Sequence, residues 1–207
     1  MPRAPGFDAA GFWRRRRDRA DSNHTMLFGR TTSQTHLIAD GEHFDVLVRG
    51  HMAEAAVSID IATANLKAMQ VPTGRKRSAS ILEVLAEIAR RGVEVRLLHA
   101  GVPSEPALQQ MRGERPAQLT IRRCPRVHAK LIVIDSRLLY IGSANLTGAG
   151  LGAKSERRRN FELGTLSTDE QLIDEVSSYF NTIWEGEPCA TCGRRDVCPV
   201  PLEEPDL

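Results

Sequence analysis

The chain has 207 residues, the size of one ordinary domain with some decoration, and 41% of them are apolar, enough for a single buried core. Its 28 basic and 26 acidic residues leave a formal net charge of +2, so bulk basicity alone does not demand a nucleic acid partner. No apolar run approaches the ~20 residues of a membrane span, and the N-terminal arginines are not followed by the apolar region of a secretory signal, so a soluble, cytoplasmic protein without a membrane partner is expected.

Residues 1–40 lack sustained periodicity and read as a basic, loosely held arm carrying Arg14-Arg15-Arg16-Arg17. A domain over residues 41–186 follows, and residues 187–207 form a cysteine-containing tail. Within the domain, Leu47, Val48, Met52, Ala55 and Ala56 recur at helical spacing and predict a helix from Phe44 to about Ser58. Val57 to Ala62 alternates as a first core strand. A basic loop with Arg75-Lys76-Arg77 precedes a helix capped by Ser78 or Ser80, whose stripe of Ile81, Leu82, Val84, Leu85 and Ile88 stops at Gly92. A strand over 93–99, a short helix over 106–111 and a strand over 119–123 complete a β-α-β-α-β order. That order predicts an α/β fold with a mixed sheet flanked by helices. Downstream, 160–166 reads as a strand. Asp169 to Trp184 reads as an amphipathic helix with Ser167 or Thr168 near its N-cap. Ile61-Ala62-Thr63-Ala64-Asn65-Leu66 echoes Ile141-Gly142-Ser143-Ala144-Asn145-Leu146, but no His-x-Lys precedes the first copy, so the echo reads as coincidence.

The chemistry concentrates in Val127-His128-Ala129-Lys130-Leu131-Ile132-Val133-Ile134-Asp135 and, after a turn at Ser136-Arg137, Ile141-Gly142-Ser143-Ala144-Asn145. Two apolar strands are expected here, with His128 and Lys130 on one face because side chains alternate along a strand. A histidine, a lysine, a serine and an asparagine at strand ends suit a bound phosphate or oxyanion. The spacing resembles the HKD motif of the phospholipase D superfamily, in its single-motif, nuclease-like form. The resemblance follows the element order from Phe44 to Trp184 and is specific over Val127 to Glu162.

That resemblance implies a phosphodiesterase in which His128 attacks phosphorus, forms a phosphohistidine and needs no metal. Lys130 would neutralise phosphate charge, Asn145 would donate to a phosphoryl oxygen with Ser143 assisting, and Glu162 would hold the histidine ring. Asp135 belongs to the motif with a structural part, holding the fold near the site. His24, His36, His43, His51 and His99 lack a lysine two residues on, so the chain holds half a site. Family members of this size complete it as a two-fold homodimer, one His128 attacking and the other serving as acid and then base. The expected substrate is nucleic acid, DNA ahead of RNA, contacted through its backbone by the basic clusters. A lipid phosphodiesterase and a non-catalytic nucleic-acid-binding module of a larger system are the alternatives.

Cys124, Cys189, Cys192 and Cys198 make up the cysteine content, three of them in a terminal Cys-x2-Cys-x5-Cys. This is not a disulfide framework for an intracellular chain, whereas four thiolates suit an iron–sulfur cluster or zinc. Cys124 and Cys198 are each followed by proline. The spacing resembles the iron staple of some nucleases, which implies a structural 4Fe–4S cluster, with zinc the alternative.

Overall fold

The computed structural model describes residues 33–67, 69–72, 78–111 and 115–204. A seven-stranded sheet runs through it: β1 (Thr35–Ala39), β2 (Ser58–Thr63), β5 (Glu94–His99), β6 (Leu119–Arg123), β7 (Leu131–Ile134), β8 (Leu138–Gly142) and β9 (Leu163–Ser167), in the spatial order β1-β9-β8-β7-β2-β5-β6. A small hairpin of β3 (Gln70–Pro72) and β4 (Ser78–Ser80) stands apart. β5 pairs in parallel with β2 and with β6, and the other pairings are antiparallel, so the expected mixed sheet is present.

The helices are α1 (Ile81–Arg90), α2 (Glu105–Met111) and α3 (Glu170–Trp184). One core, built on Ile59, Ile61, Val95, Leu97, Ile132 and Ile134, is covered by α1 and the helix ahead of β2. The second, built on Leu98, Leu131, Val133 and Leu139, is covered by Ile173, Phe180 and Trp184 of α3. Covering β7 on both faces explains its unbroken apolar run.

Local chemistry sets the element ends. Ser80 caps α1 through a capping box with Glu83: the Glu83 N–H donates to Ser80 Oγ at 3.0 Å, and the Ser80 N–H donates to Glu83 Oε2 at 2.6 Å. The cap of α3 is Asp169 rather than Ser167 or Thr168, with Leu172 N–H donating to Asp169 Oδ1 at 2.9 Å. The helix expected from Phe44 to Ser58 is instead a wide π-helical stretch, His43–His51, and a 3-10 turn, Met52–Glu54. It stops early because the N–H groups of Ala56, Val57 and Ser58 donate to the Asp135 carboxylate, at 2.7–3.2 Å, instead of to carbonyls one turn back.

The arm assignment for residues 1–40 is corrected at its end, because residues 35–39 are a strand of the sheet. Only Ile38 is buried there, so the strand carries no apolar alternation to read. The rest of the arm through residue 32, and Arg75-Lys76-Arg77, lie outside the described residues.

Reading the echo as coincidence is also corrected. β2 and β8 both run antiparallel to β7, so they point the same way and their ends emerge on either side of the start of β7, to meet beyond it. Leu66 and Leu146 form a parallel bridge, and Lys67 N–H donates to Leu146 O at 3.4 Å.

Candidate active site

The C-terminal ends of β2, β5, β6 and β8 and the N-terminal ends of β7 and β9 lie along one border of the sheet. His128 and Lys130 precede β7, Ser143 and Asn145 follow β8, and Glu162 precedes β9, so the topology delivers these side chains to that border. A cleft of about 570 Å3 opens there, lined by His128, Lys130, Ser143, Ile141, Glu175 and Tyr179 among others. Its size is within the range of small-ligand sites.

His128 and Lys130 sit in the extended approach to β7 rather than in the ladder, but they share a side as expected. Lys130 Nζ lies 3.3 Å from His128 Nδ1 and donates to His128 O at 2.8 Å. The ammonium is thereby held against the ring, and His128 is exposed at the cleft.

Ser143 is tied to β9 by two bonds: its N–H donates to Leu163 O at 3.0 Å, and Leu163 N–H donates to Ser143 Oγ at 3.1 Å. Ser143 Oγ also makes a short bond, donating to Glu162 Oε2. The second Glu162 oxygen accepts from Asn160 Nδ2 at 2.9 Å. Within one chain both Glu162 oxygens are thus engaged, by Ser143 and by Asn160. Strand order supplies the reason, because β8 lies between β7 and β9 and places Ser143 between His128 and Glu162.

Asn145 Oδ1 accepts from Asn65 N–H at 3.1 Å, and the buried Thr63 Oγ1 stands 3.4 Å from the same oxygen. Thr63 Oγ1 is 3.0 Å from Asn65 O and accepts from Leu146 N–H at 3.0 Å. A hydroxyl has one hydrogen, and the shorter contact to Asn65 O takes it. With its oxygen committed, the Asn145 amide has its NH2 end to offer a ligand.

Below this layer, Asp40 grips the backbone of Glu162: Glu162 N–H donates to Asp40 Oδ1 at 3.0 Å, and Asp40 N–H donates to Glu162 O at 2.9 Å. The buried Tyr140 ring underlies Gly142 and Gly164, where a Cβ would collide with it. Burial pushes the Tyr140 phenol well above its usual value, so it stays neutral. Buried His43 packs edge-on against Tyr140 at 5.5 Å, and desolvation lowers its pKa.

Sequence spacing alone does not single out Asp40, Asn160, Thr63 or Asn65. The echo of Thr63-Ala64-Asn65 with Ser143-Ala144-Asn145 was the available signal for two of them. Asp135 is not brought to the site. It lies at the opposite end of β7, and its carboxylate binds the segment entering β2.

Cys124, Cys189, Cys192 and Cys198 are free thiols that border one small cavity, which shares no lining residue with the cleft. The Cys192 thiol is held below its usual pKa, first by a bond from the Arg194 backbone and then by the Arg126 guanidinium, 3.7 Å away. Among the described residues no group of three or more His, Cys, Asp or Glu side chains already stands ready to hold an ion.

Residues 48–184 match the family described as "Cardiolipin synthase, PLD-like domain". The chain belongs to the phospholipase D-like family. Its likeness to a mitochondrial cardiolipin hydrolase from Chlamydomonas reinhardtii is 27% identity over 108 residues, 51% of this chain and 46% of that protein. The chain thus spans about half the length of that curated relative. Two solved structures share the fold, each at a TM-score of 0.56 over 74% of this chain. NucT from Helicobacter pylori is 17% identical with 97% of its chain covered. The phospholipase D family member Nuc from Salmonella typhimurium is 18% identical with 95% covered. No helix among the described residues is long and apolar enough to cross a membrane.

Proposed function

We propose that the protein is a phosphodiesterase that cleaves nucleic acid through a phosphohistidine at His128, acting as a homodimer. The observation that carries the substrate class is the loop between the two halves of the site. Residues 148–159 join Asn145 to Asn160 and Glu162, and they hold Lys154, Arg157, Arg158 and Arg159 against the single acid Glu156. Lys154, Arg157 and Arg158 are exposed. A cationic loop anchored at both ends in a phosphate-handling site favours a polyanion that extends beyond the reacting phosphate. Phe161, 96% exposed beside Glu162, adds a surface on which a base can stack.

In this reading the His128 imidazole attacks phosphorus, and the bond to the leaving oxygen breaks as that oxygen takes a proton from His128 of a second copy. The second imidazole then removes a proton from water, which attacks the phosphohistidine and frees the phosphate product. Lys130 and the Asn145 NH2 group stabilise charge on the phosphoryl oxygens, and Ser143, fixed by Glu162, orients beside them. These side chains complete the reaction without a metal.

Two exposed apolar side chains flanking the half-buried Thr165 support the second copy. Leu37, Thr165 and Ile141 are register neighbours across β1, β9 and β8, and Leu37 and Ile141 are 57% and 41% exposed. Ile141 lines the cleft, where Tyr179 is 56% exposed. A two-fold contact here would cover them and bring the His128 side chains together.

The test is cleavage of labelled DNA, then RNA, in EDTA by the protein and by His128→Ala, with the molar mass from light scattering. Cleavage lost in the variant, by a dimer, is the expected result; a fully active monomer would refute the dimer. A second reading, lipid phosphodiester hydrolysis, is favoured by the names of the matched family and the curated relative. Headgroup release from cardiolipin vesicles without DNA cleavage would select it.

A further inference from the structure

The tail after α3 is ordered without a core of its own. No residue of 185–204 is buried, and its two valines, Val197 and Val200, are 41% and 55% exposed. Its internal backbone bonds are local ones, such as Cys189 N–H to Gly186 O at 2.9 Å and Val197 N–H to Arg194 O at 3.3 Å. The far end returns to the body, where Arg123 N–H donates to Glu203 O at 2.9 Å and Leu202 leans on the second core. Segments that cannot bury apolar surface hold a defined path through cross-links or metals.

The feature common to the path of this loop is sulfur. Cys189, Cys192 and Cys198 border one cavity, and the fourth wall is Cys124 at the exit of β6. We propose that Cys124, Cys189, Cys192 and Cys198 form a tetrathiolate site, for a 4Fe–4S cluster or a zinc ion, that staples the tail to the loop carrying His128. Four thiolates around a dipositive ion or core leave a net charge of about −2. Arg126, Arg194 and Arg195 border the same cavity and match that charge. Ligation requires the tail thiols to close on Cys124, and the segment that moves is the one without a buried residue. The mechanical link to the site is short: Cys124 N–H donates to His99 O at 2.8 Å, Val127 N–H donates to Cys124 O at 3.0 Å, and His128 follows.

The full chain, purified without oxygen, is assayed for metals and acid-labile sulfide before and after separate reconstitution with zinc and with iron plus sulfide. About one zinc, or about four iron and four sulfide with absorption near ~400 nm, is expected per chain. The Cys124→Ser/Cys192→Ser pair is expected to lose that metal. A companion measurement does not depend on the variant folding: the loaded chain should shield its thiols from a disulfide reagent, and metal removal should expose them and speed tryptic cleavage at Arg194 and Arg195. Less than about a fifth of a metal per chain after reconstitution, equal loading of the variant, or immediate reaction of all thiols in the loaded chain would overturn the proposal.

Discussion

Replacing Asp135 by alanine separates a structural from a chemical part for a residue of the motif. The Asp135 carboxylate accepts from Ala56 N–H at 3.0 and 3.2 Å, from Val57 N–H at 2.7 Å and from Ser58 N–H at 2.9 Å. Bonds to a charged acceptor contribute about 1.5–3 kcal/mol each. Ala56 and Val57 are exposed, so water replaces much of what their N–H groups lose. The Ser58 end is half-buried, and Asp135 holds φ +53°, where alanine is disfavoured by about 1 kcal/mol or more. Together these give a loss of about 2–4 kcal/mol, or a drop of roughly 4–16 °C in Tm for a domain of this size. Asp135→Asn keeps an acceptor and tolerates this backbone, so it should lose about half as much. Thermal unfolding by circular dichroism reads the stability, and phosphodiester cleavage per folded molecule reads the chemistry. Near-normal cleavage in a strongly destabilised protein is expected. An unchanged Tm with cleavage lost as fully as in His128→Ala would refute the structural assignment.

Asn145→Asp keeps the acceptor for Asn65 N–H but presents a negative oxygen in place of the NH2 group; cleavage should fall by ~10²-fold or more while unfolding midpoints shift little. Asp60 pairs with Arg96 through two bonds of 2.7 Å, under the Phe180 and Trp184 rings of α3, so Asp60→Ala should cost ~3–5 kcal/mol in denaturant unfolding. Burial lowers the pKa of both His43 and His99, so the unfolded chain binds more protons below its ordinary histidine value of about 6.5. Stability is present above that pH and should fall as pH drops through it, less steeply in His99→Gln. Phe161→Ala should weaken binding of single-stranded DNA by ~1–3 kcal/mol, measured by fluorescence anisotropy, if a base stacks there.

Much of the architecture was legible because apolar periodicity and burial coincide. The stripe of α1 and the unbroken run of β7 report which faces are covered, whereas the alternation of β2 misleads, because both its faces are covered and Asp60 is buried in its pair with Arg96. β1 was not legible, since one buried side chain in five positions carries no pattern. The early end of the first helix was hidden for a different reason: it depends on Asp135, about 80 residues away, taking the N–H groups of 56–58. At the site, the local spacing of His128, Lys130, Ser143 and Asn145 identified what is delivered to the sheet border. It could not show that Glu162 would meet Ser143 within one chain, because that follows from strand order. Thr63 and Asn65 were visible only as an echo, whose meaning required the ends of β2 and β8 to meet beyond the start of β7.

The strand at Thr35–Ala39 has a consequence for any shortened form of the protein. The family match begins at residue 48, and even a chain begun at residue 41, which keeps the helix His43–His51, would lack β1 and Asp40. The row of N–H and C=O groups that β9 gives to β1, from Leu163 to Ser167, would then face water beside the exposed Leu163 and Ile141. Such an edge is a template for adding a foreign strand. A trimmed chain should therefore form soluble aggregates or fibrils before it loses its helices, and light scattering would register that ahead of any change in circular dichroism.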